Sequence, residues 1–410
     1  MTNLDEGMVA LGAEDFGDAR VLLARLGKTR PVHRVALPDG MPAWLITGYA
    51  EARKALADPR LLRSGKVAAP EFRHYLQGIY NDEFFPHSMV FNDQPDHTRM
   101  KKVVSQAFTP RQLERLRPRV QAIADSLIDA IVTQGEADIL QALALPLPNA
   151  VICEWFDIPV SDRAEFVKHC EVVTGLTVST GDDALASAGR WFDNYLATVI
   201  EDRRAHPGDD MISAMLSSQR ENKTLSDLEL RSNIFLMLIG SVETAVNMIS
   251  NGTLALLRNP DALALLRANP GLVGSAVEEI LRTDAPVMTV MYHFATGHLT
   301  IGGVDIQPGE HVAISLIAAN YDPEQFPDPN RFDICRKAAS HLSFSHGIHF
   351  CLGAPLARLE GEVMFDTMLR RLRDLELAVP DESLRWRPSF LVHRLTRLPV
   401  TFTPADRAVA

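Results

Sequence analysis

Cysteine is scarce in this sequence, and long apolar runs are missing. The four cysteines are scattered, without CxxC spacing, at Cys153, Cys170, Cys335 and Cys351. This distribution fits neither a zinc site nor a disulfide framework. The most apolar stretch, Ile234 to Ile239, is too short to span a bilayer, and the first residues carry many charges. We therefore expect no membrane anchor and no signal peptide, and we predict a cytoplasmic protein.

Basic residues are also few relative to acidic ones. There are 41 Lys and Arg against 52 Asp and Glu, which gives a net charge of -11. This balance argues against a nucleic-acid partner, because phosphate contacts require clustered positive charge. The apolar share of 46% is ordinary for a globular protein with a large core. No internal repeat or low-complexity linker is visible.

Helical periodicity dominates, with a minor β portion. Thr109-Pro110 predicts a helix start, and Asn259-Pro260 predicts the end of one helix and the start of the next. A further amphipathic helix is predicted from Leu356 to Leu372. The β-like segments are Ala43 to Thr47, Met288 to Thr300, His311 to Ser315, and a strand with a Pro-Gly turn in Gly302 to Glu310.

One predicted helix is unusually long and apolar. Ser226 and Glu229 form a capping-box pattern, and no proline follows until after Arg258. The helix would have roughly thirty residues, far more than the average of about a dozen. We expect it to be buried and to cross a central site. Gly240 and Glu243 interrupt its apolar pattern, and both are costly in a buried helix.

One cysteine lies in an unusual loop. Phe344 to Gly353 reads FSHGIHFCLG and delivers Cys351 just before a predicted helix that begins at Ala354. A thiolate at a helix N-terminus faces free N–H groups, so we expect its pKa to fall. We also expect Gly347 and Gly353 to let the backbone pass close to a flat ligand. The alternative is a buried structural cysteine, which is the usual role of a lone cysteine.

The pattern F-x-x-G-x-x-x-C-x-G resembles the haem-binding loop of the cytochrome P450 family. The resemblance implies that Cys351 is the axial thiolate ligand of the iron of haem b, as in P450s generally. Phe344 and Gly353 are then part of the cofactor-binding loop, and His349 meets a haem propionate. Glu279 and Arg282 match the family's E-x-x-R pair, which forms a structural ion pair.

The middle of the long helix matches the family's oxygen-binding segment. We expect Thr244 to bond back to the carbonyl of Gly240, four residues earlier. The resemblance implies that Gly240 leaves room for dioxygen, that Thr244 hydrogen-bonds it, and that Glu243 relays protons. The family often has Ala-Gly before the acid, whereas this chain has Gly240-Ser241.

Two further segments resemble the family's propionate-binding elements. Asp93 to Lys101 resembles D-x-P-x-H-x-R-x-R, so His97 is expected to contact a propionate. Lys101 replaces the last arginine of this pattern and lacks its bidentate fork. His293 stands where many relatives have an arginine, and we expect it to be a propionate partner.

The resemblance covers nearly the whole chain and implies one triangular domain over residues 1–410, with the long helix over the haem. The implied reaction is hydroxylation or epoxidation of an apolar secondary metabolite, such as a polyketide or terpene. Electrons from NAD(P)H would come through a ferredoxin reductase and a ferredoxin to a monomeric protein with no fused reductase. We expect the ferredoxin to dock on a basic region, which comprises Lys101, Lys102, Arg111 and Arg115.

The expected substrate pocket is apolar. Its predicted walls are Met89, Val90, Leu236, Met237, Met248, Val287, Met288 and Val392. Two alternatives remain at this stage. One is a haem-thiolate enzyme that uses peroxide or does not insert oxygen, although such enzymes often lack the Glu243-Thr244 pair. The other is a non-catalytic haem sensor.

Overall fold

The computed structural model describes residues 8–11, 19–37, 39–76, 85–106, 108–175, 182–222, 225–336 and 340–404. Helices dominate, as predicted. Their bounds are α1 Ala19–Gly27, α2 Tyr49–Ala55, α3 Asp96–Ser105, α4 Pro110–Ile131, α5 Pro146–Trp155, α6 Arg163–Val173, α7 Asp182–Ala205, α8 Met211–Asn222, α9 Asp227–Leu257, α10 Pro260–Ala268, α11 Val273–Thr283, α12 Leu316–Asn320 and α13 Ala354–Arg371. Short 3-10 and π-helical turns connect several of them.

Local capping chemistry determines where several helices begin. Thr109 precedes α4 and Ser226 precedes α9, and each forms a complete capping box with the third residue of its helix. These side chains satisfy backbone N–H groups that the first helical turn leaves unpaired. Pro260 opens α10 after Asn259, as the sequence predicts. The predicted helix at the C-terminal side of Cys351 begins at Ala354 and ends at Arg371.

The strands are short and form a minor part of the molecule. Their bounds are β1 Val9–Ala10, β2 Val32–Ala36, β3 Pro42–Ile46, β4 Leu61–Leu62, β5 Glu136–Asp138, β6 Thr289–Ala295, β7 Leu299–Ile301, β8 Val304–Ile306, β9 His311–Ser315, β10 Arg373–Leu377 and β11 Pro399–Thr403. Among them, β1-β2-β3-β9-β6-β4 form a six-stranded sheet, β10-β11-β5 a three-stranded sheet, and β7-β8 a hairpin. The predicted segment from Met288 to Thr300 is thus two strands separated by a turn.

Helix α9 is the centre of the main core. It packs against α13, α5 and α11, among others. Two glycines allow close packing at the α9–α13–α11 junction. A Cβ on Gly252 would lie 2.5 Å from the Phe365 ring, and one on Gly361 would lie 3.1 Å from the Met248 methyl. Tight packing therefore fixes the position of α9 relative to α13.

One helix in the described part of the chain is long and apolar enough to cross a membrane, and it is α9. In its most apolar window, 67% of the residues are buried inside the protein. This burial is typical of the core helix of a folded domain, which is how the sequence pattern was interpreted.

Candidate active site

A mostly apolar cavity of about 350 Å³ separates α9 from the loop before α13. Gly240 and Thr244 line it from α9, and Phe344, Cys351 and Gly353 line it from the loop. The sequence predicted all five as site residues, although they are about a hundred positions apart. The structure therefore places the expected oxygen-binding segment and the expected thiolate on one cavity.

Cys351 lies between two backbone anchors. Its N–H donates to the carbonyl of Phe344 at 2.9 Å, and the N–H groups of Gly353 and Ala354 bond to its sulfur. Burial raises the pKa of the Cys351 thiol, while these N–H groups and the charges of Lys101 and Arg358 lower it by a smaller amount. The expectation of a lowered pKa is therefore wrong for the protein alone, because desolvation outweighs the helix terminus. A bound metal ion would hold the sulfur deprotonated.

Gly347 has a structural role that the sequence did not predict. Its φ of +71° is left-handed, and a Cβ there would lie 2.6 Å from the carbonyl oxygen of Leu56. The close approach of the loop to the end of α2 therefore requires glycine at this position. Gly353 has an ordinary φ of -78°, so its backbone conformation does not require glycine.

The start of the loop is held by an ion pair that the sequence analysis missed. The Arg358 guanidinium lies 4.6 Å above the centre of the Phe344 ring. Glu278 accepts two hydrogen bonds from Arg358, at 2.6 and 2.9 Å, and contacts His341 at 3.2 Å. Burial alone would raise the pKa of Glu278, but hydrogen bonds from His341 and Arg358 lower it to about 2. Glu278 is the neighbour of a predicted residue, and only the fold shows that Arg358 faces it.

Glu279 and Arg282 form the ion pair that E-x-x-R predicts. Two hydrogen bonds of 2.8 Å join the guanidinium to the carboxylate, and the side chains are 1% and 3% exposed. Arg282 also donates to the carbonyls of Asn320 and Pro329, and the N–H of Asp333 donates to Glu279. Because every charge here has several partners, the pair joins α11 to the segment that precedes the Cys351 loop.

The middle of α9 has the expected local hydrogen bond. The Thr244 hydroxyl donates to the carbonyl of Gly240 at 2.8 Å, and Ser241 donates to that of Met237 at 2.6 Å. A Cβ on Gly240 would meet no atom within 4 Å, so this glycine is not needed for packing. The departure at Ser241 is accommodated because its hydroxyl is satisfied within the helix.

Glu243 is paired with a residue that the sequence analysis missed. Its carboxylate accepts a hydrogen bond of 3.3 Å from Arg394. Burial raises the pKa of Glu243, and the charges of Arg394 and Arg387 oppose this effect. Arg394 also donates to the carbonyl of Gly175, two residues beyond the end of α6, and Arg387 donates to the same carbonyl. Burial, with the nearby charge of Arg387, lowers the pKa of Arg394 to about 10.

Basic side chains gather at one end of the cavity. His97, Lys101 and His349 line it together with Arg63, and the rings of His97 and His349 are 4.4 Å apart. Burial, together with the charges of Lys101 and Arg63, lowers the pKa of His97 to about 4. Burial and nearby positive charge also lower the pKa of His349. The histidines are therefore neutral at pH 7, although the cluster as a whole is positive.

This basic end fits an anionic ligand. The Nδ1 atoms of His97 and His293 and the Nε2 atom of His349 are buried without a hydrogen-bond partner. Buried polar atoms are normally paired, so three unpaired nitrogens indicate a missing ligand with hydrogen-bonding groups. Carboxylates next to Lys101 and Arg63 would meet this need. The donors present therefore fit a haem whose propionates point to this end.

Two further predicted propionate partners lie at or near this basic end. Lys101 donates to the carbonyls of Ile348 at 2.5 Å and Phe350 at 3.2 Å, so it holds the Cys351 loop. His293 is 3% exposed and is not among the residues that line the cavity.

Six of the eight predicted pocket residues line the cavity. They are Met89, Val90, Leu236, Met237, Met248 and Val287. The predictions for Met288 and Val392 are wrong. Met288 lies in a separate core cluster with Phe294, and its N–H donates to the carbonyl of Leu391. Val392 forms a β-bridge with Val287, which lines the cavity in its place.

A buried helix and a cysteine loop on opposite sides of one cavity, with a basic end, define a haem-thiolate protein. The family model described as Cytochrome P450 matches residues 59–395. The chain belongs to this family, and it is a monooxygenase with a haem b cofactor. The six-stranded sheet, the central helix and the loop before α13 are accordingly the P450 fold.

Several relatives are similar over nearly their whole length. Cytochrome P450 monooxygenase PikC of Streptomyces venezuelae is 40% identical, over 95% of this chain and 92% of its own. The 6-deoxyerythronolide B hydroxylase of Saccharopolyspora erythraea is 41% identical, over 92% and 94%. Among solved structures, the tirandamycin C-bound P450 monooxygenase TamI is 38% identical with a TM-score of 0.86, and covers 96% of this chain and 100% of its own.

Proposed function

We propose that this monooxygenase hydroxylates or epoxidises a polyketide-like secondary metabolite. The observation that carries the proposal is the position of Cys351 and Thr244 on one apolar cavity. Relatives with names such as 6-deoxyerythronolide B hydroxylase and Mycinamicin IV hydroxylase/epoxidase support the substrate class. A terpene is the second candidate, since the apolar walls suit it equally.

The residues of the chain divide the work of holding the cofactor. Cys351 would supply the thiolate that ligates the iron, with its sulfur held by the N–H groups of Gly353 and Ala354. His97 and His349 would hold the propionates at the basic end, and Lys101 holds the loop through the carbonyls of Ile348 and Phe350. When bound, the haem supplies oxygen activation and transfer of one oxygen atom to the substrate, with thiolate donation to the iron.

Protons are handled on the α9 side. Thr244 lines the cavity while its hydroxyl donates to the carbonyl of Gly240, so the hydroxyl could turn and donate a hydrogen bond into the cavity instead. Glu243 supplies the proton from behind, since its raised pKa keeps a larger neutral fraction than a surface glutamate would have. Retention of this acid-alcohol pair favours use of dioxygen over use of peroxide.

The substrate binds against flexible apolar side chains. Met89, Met237 and Met248 line the cavity, and methionine adapts its shape to irregular ligands. Phe108, Ala245 and Val290, which the sequence analysis missed, complete the wall. A bulky, mostly apolar molecule with few polar groups fits this surface better than a charged metabolite does.

Electrons from NAD(P)H reach the protein through a ferredoxin reductase and a ferredoxin, and the protein acts as a cytoplasmic monomer of one domain. The docking surface is smaller than the sequence predicted. Lys101 faces the loop carbonyls, and Arg115 is paired with Asp209 at 2.6 Å. Lys102 and Arg111 remain exposed and supply the charge. Turnover should fall as salt rises, and salt-independent turnover after Lys102→Glu would contradict this docking surface.

The ferrous–CO spectrum tests thiolate ligation. The wild-type protein should give the strongly red-shifted Soret band that requires a thiolate, and Cys351→Ser should abolish it. Cys335→Ser is the matched control, because this cysteine is also free and is exposed on the surface. A red-shifted band in Cys351→Ser, or its loss in Cys335→Ser, would contradict the assignment.

Turnover experiments separate the alternative functions. Reconstitution with NADPH, ferredoxin and reductase should oxidise macrolactones that induce a high-spin shift, and the product should gain one oxygen atom by mass. Product formed with peroxide alone, and none with the full electron chain, would favour a peroxide user. A library without any spin shift or product would favour the sensor.

A further inference from the structure

Arg63 is a site residue that the sequence pattern does not single out. It follows the two-residue strand β4, which pairs antiparallel with β6. The register joins Leu61 to Ala295 and Leu62 to Phe294. Because antiparallel partners advance in opposite directions, the next pair in this register is Arg63 with His293. The two side chains are thus cross-strand neighbours.

The guanidinium side chain of Arg63 reaches the basic end of the cavity. Arg63 is only 8% exposed, and it lines the cavity together with His97, Lys101 and His349. Its charge acts on all three neighbouring histidines, because it contributes to the lowered pKa of His97, His293 and His349. Arg63 therefore lies close to the nitrogen atoms that have no partner.

The backbone at Arg63 is firmly held. Asp93 accepts a hydrogen bond of 2.9 Å from the N–H of Arg63 and a second of 2.9 Å from the N–H of Ser64. The Arg63 Nη1 atom also donates to the carbonyl of Val90 at 3.4 Å. These contacts fix the start of the side chain relative to α3, which carries His97 and Lys101.

His293 does not supply a positive charge. Complete burial, with the charges of Arg63 and His311, lowers its pKa well below the usual value for histidine. It is also not among the residues that line the cavity. The position where many relatives have an arginine is therefore neutral in this chain, and a guanidinium is present on the paired strand instead.

We propose that Arg63 is the arginine that binds a haem propionate, and that it replaces across the β4–β6 pair the arginine that is absent at position 293. The proposal rests on haem binding as argued above. A planar guanidinium can donate two parallel hydrogen bonds to one carboxylate, which neither Lys101 nor a neutral histidine can do.

Haem dissociation from the holoenzyme tests the proposal. Transfer of haem to apomyoglobin should be about 10- to 100-fold faster for Arg63→Ser, since a hydrogen bond to a charged group is lost. In the double variant Arg63→Ser with His293→Arg, the rate of haem transfer should return to within about threefold of wild type, because the paired strand then supplies the guanidinium. Arg60→Ser is the matched control, since Arg60 is exposed and paired with Asp58 in the same segment.

A second measurement distinguishes direct contact from a structural role. The propionate bending band in the resonance Raman spectrum should shift in Arg63→Ser and return towards wild type in the double variant. The ferrous–CO band should keep its thiolate position throughout, and its loss would instead contradict the assignment of Cys351. If Arg63→Ser does not fold, Arg63→Lys should still accelerate dissociation, because it keeps the charge without the fork.

The proposal is wrong if Arg63→Ser, or Arg63→Lys in its place, releases haem at the wild-type rate with an unchanged propionate band. It is also wrong if His293→Arg fails to slow dissociation in the Arg63→Ser background. Arg60→Ser should match wild type in both measurements, and a change there would show that any loss of charge in this segment has the same effect.

Discussion

Gly252→Ala should destabilise the protein, although alanine is the better helix former. In the interior of α9 the substitution gains about 1 kcal/mol of helix propensity. The new methyl would lie 2.5 Å from Phe365 Cζ and 2.9 and 3.0 Å from two Ile280 methyl groups. Overpacking of this kind costs about 1–3 kcal/mol, and three close contacts place it near the upper end. We expect a net loss of about 1–2 kcal/mol in the free energy of unfolding.

Gly361→Ala is the matched control on the facing helix. Its new methyl would lie 3.1 Å and 3.4 Å from the end of the Met248 side chain and 3.2 Å from a Val277 methyl. Methionine is flexible and can move aside, so the packing cost should be small. The propensity gain of about 1 kcal/mol should then make this variant equal to wild type or slightly more stable.

Guanidinium unfolding of the holoenzyme, followed by tryptophan fluorescence, measures both variants. Phe365→Leu removes the ring atom that the new methyl would meet. In a double-mutant cycle it should recover about 1 kcal/mol of the Gly252→Ala loss. Equal stability of the two alanine variants, or strictly additive effects of Gly252→Ala and Phe365→Leu, would refute the claim that contact with Phe365 sets the helix separation.

Three further predictions concern acidic side chains. Glu279→Gln should cost about 3–5 kcal/mol in denaturant unfolding, because the buried charge of Arg282 loses its carboxylate partner. Glu362→Gln, in the more exposed pair with Arg117, should cost less than about 1 kcal/mol, and equal losses would contradict this. Because the pKa of Glu278 is lowered from 4.5 to about 2, its stabilisation is present above pH 4.5 and is lost as pH falls towards 2. Since Glu278 is 36% exposed, this amounts to about 1–2 kcal/mol, and an unchanged acid-unfolding profile in Glu278→Gln would refute it. Glu243→Gln should lower turnover about 100-fold and leave the substrate-induced spin shift unchanged. Turnover of the wild-type protein should decline as pH rises through the raised pKa of Glu243. A Gln variant with the wild-type pH profile would exclude Glu243 as the proton relay.

Local sequence patterns predicted the starts of several helices and those site residues that lie on one helix or in one contiguous motif. The capping-box pattern of Ser226 and Glu229 predicted the start of α9, because an N-cap side chain binds backbone only three residues away. Thr109-Pro110 predicted the start of α4, because proline is favoured at the first helical position. Helical spacing placed Gly240, Thr244 and Met237 on one cavity, since residues three or four apart share a helix face. The Cys351 loop was found because its motif is contiguous in the sequence.

Contacts between distant segments could not be predicted in this way. Arg63 and Arg394 reach the site through strand pairing and loop packing, which no local pattern encodes. Lys101 lines the cavity, and it also donates to two carbonyls of the Cys351 loop, about 250 positions away in the sequence. Met288 was expected in the pocket, yet the bridge between Val287 and Val392 fixes which side chain faces it.

The contact of Arg394 with both Glu243 and Gly175 has a thermodynamic consequence. One guanidinium connects the carboxyl behind the cavity to the backbone beyond α6. A molecule that moves the Gly175 carbonyl on binding changes the free energy of ionising Glu243. By linkage, ionisation of Glu243 changes the affinity for that molecule by the same factor. Binding of that molecule and the readiness of the acid to give up its proton are then two measures of one coupling energy.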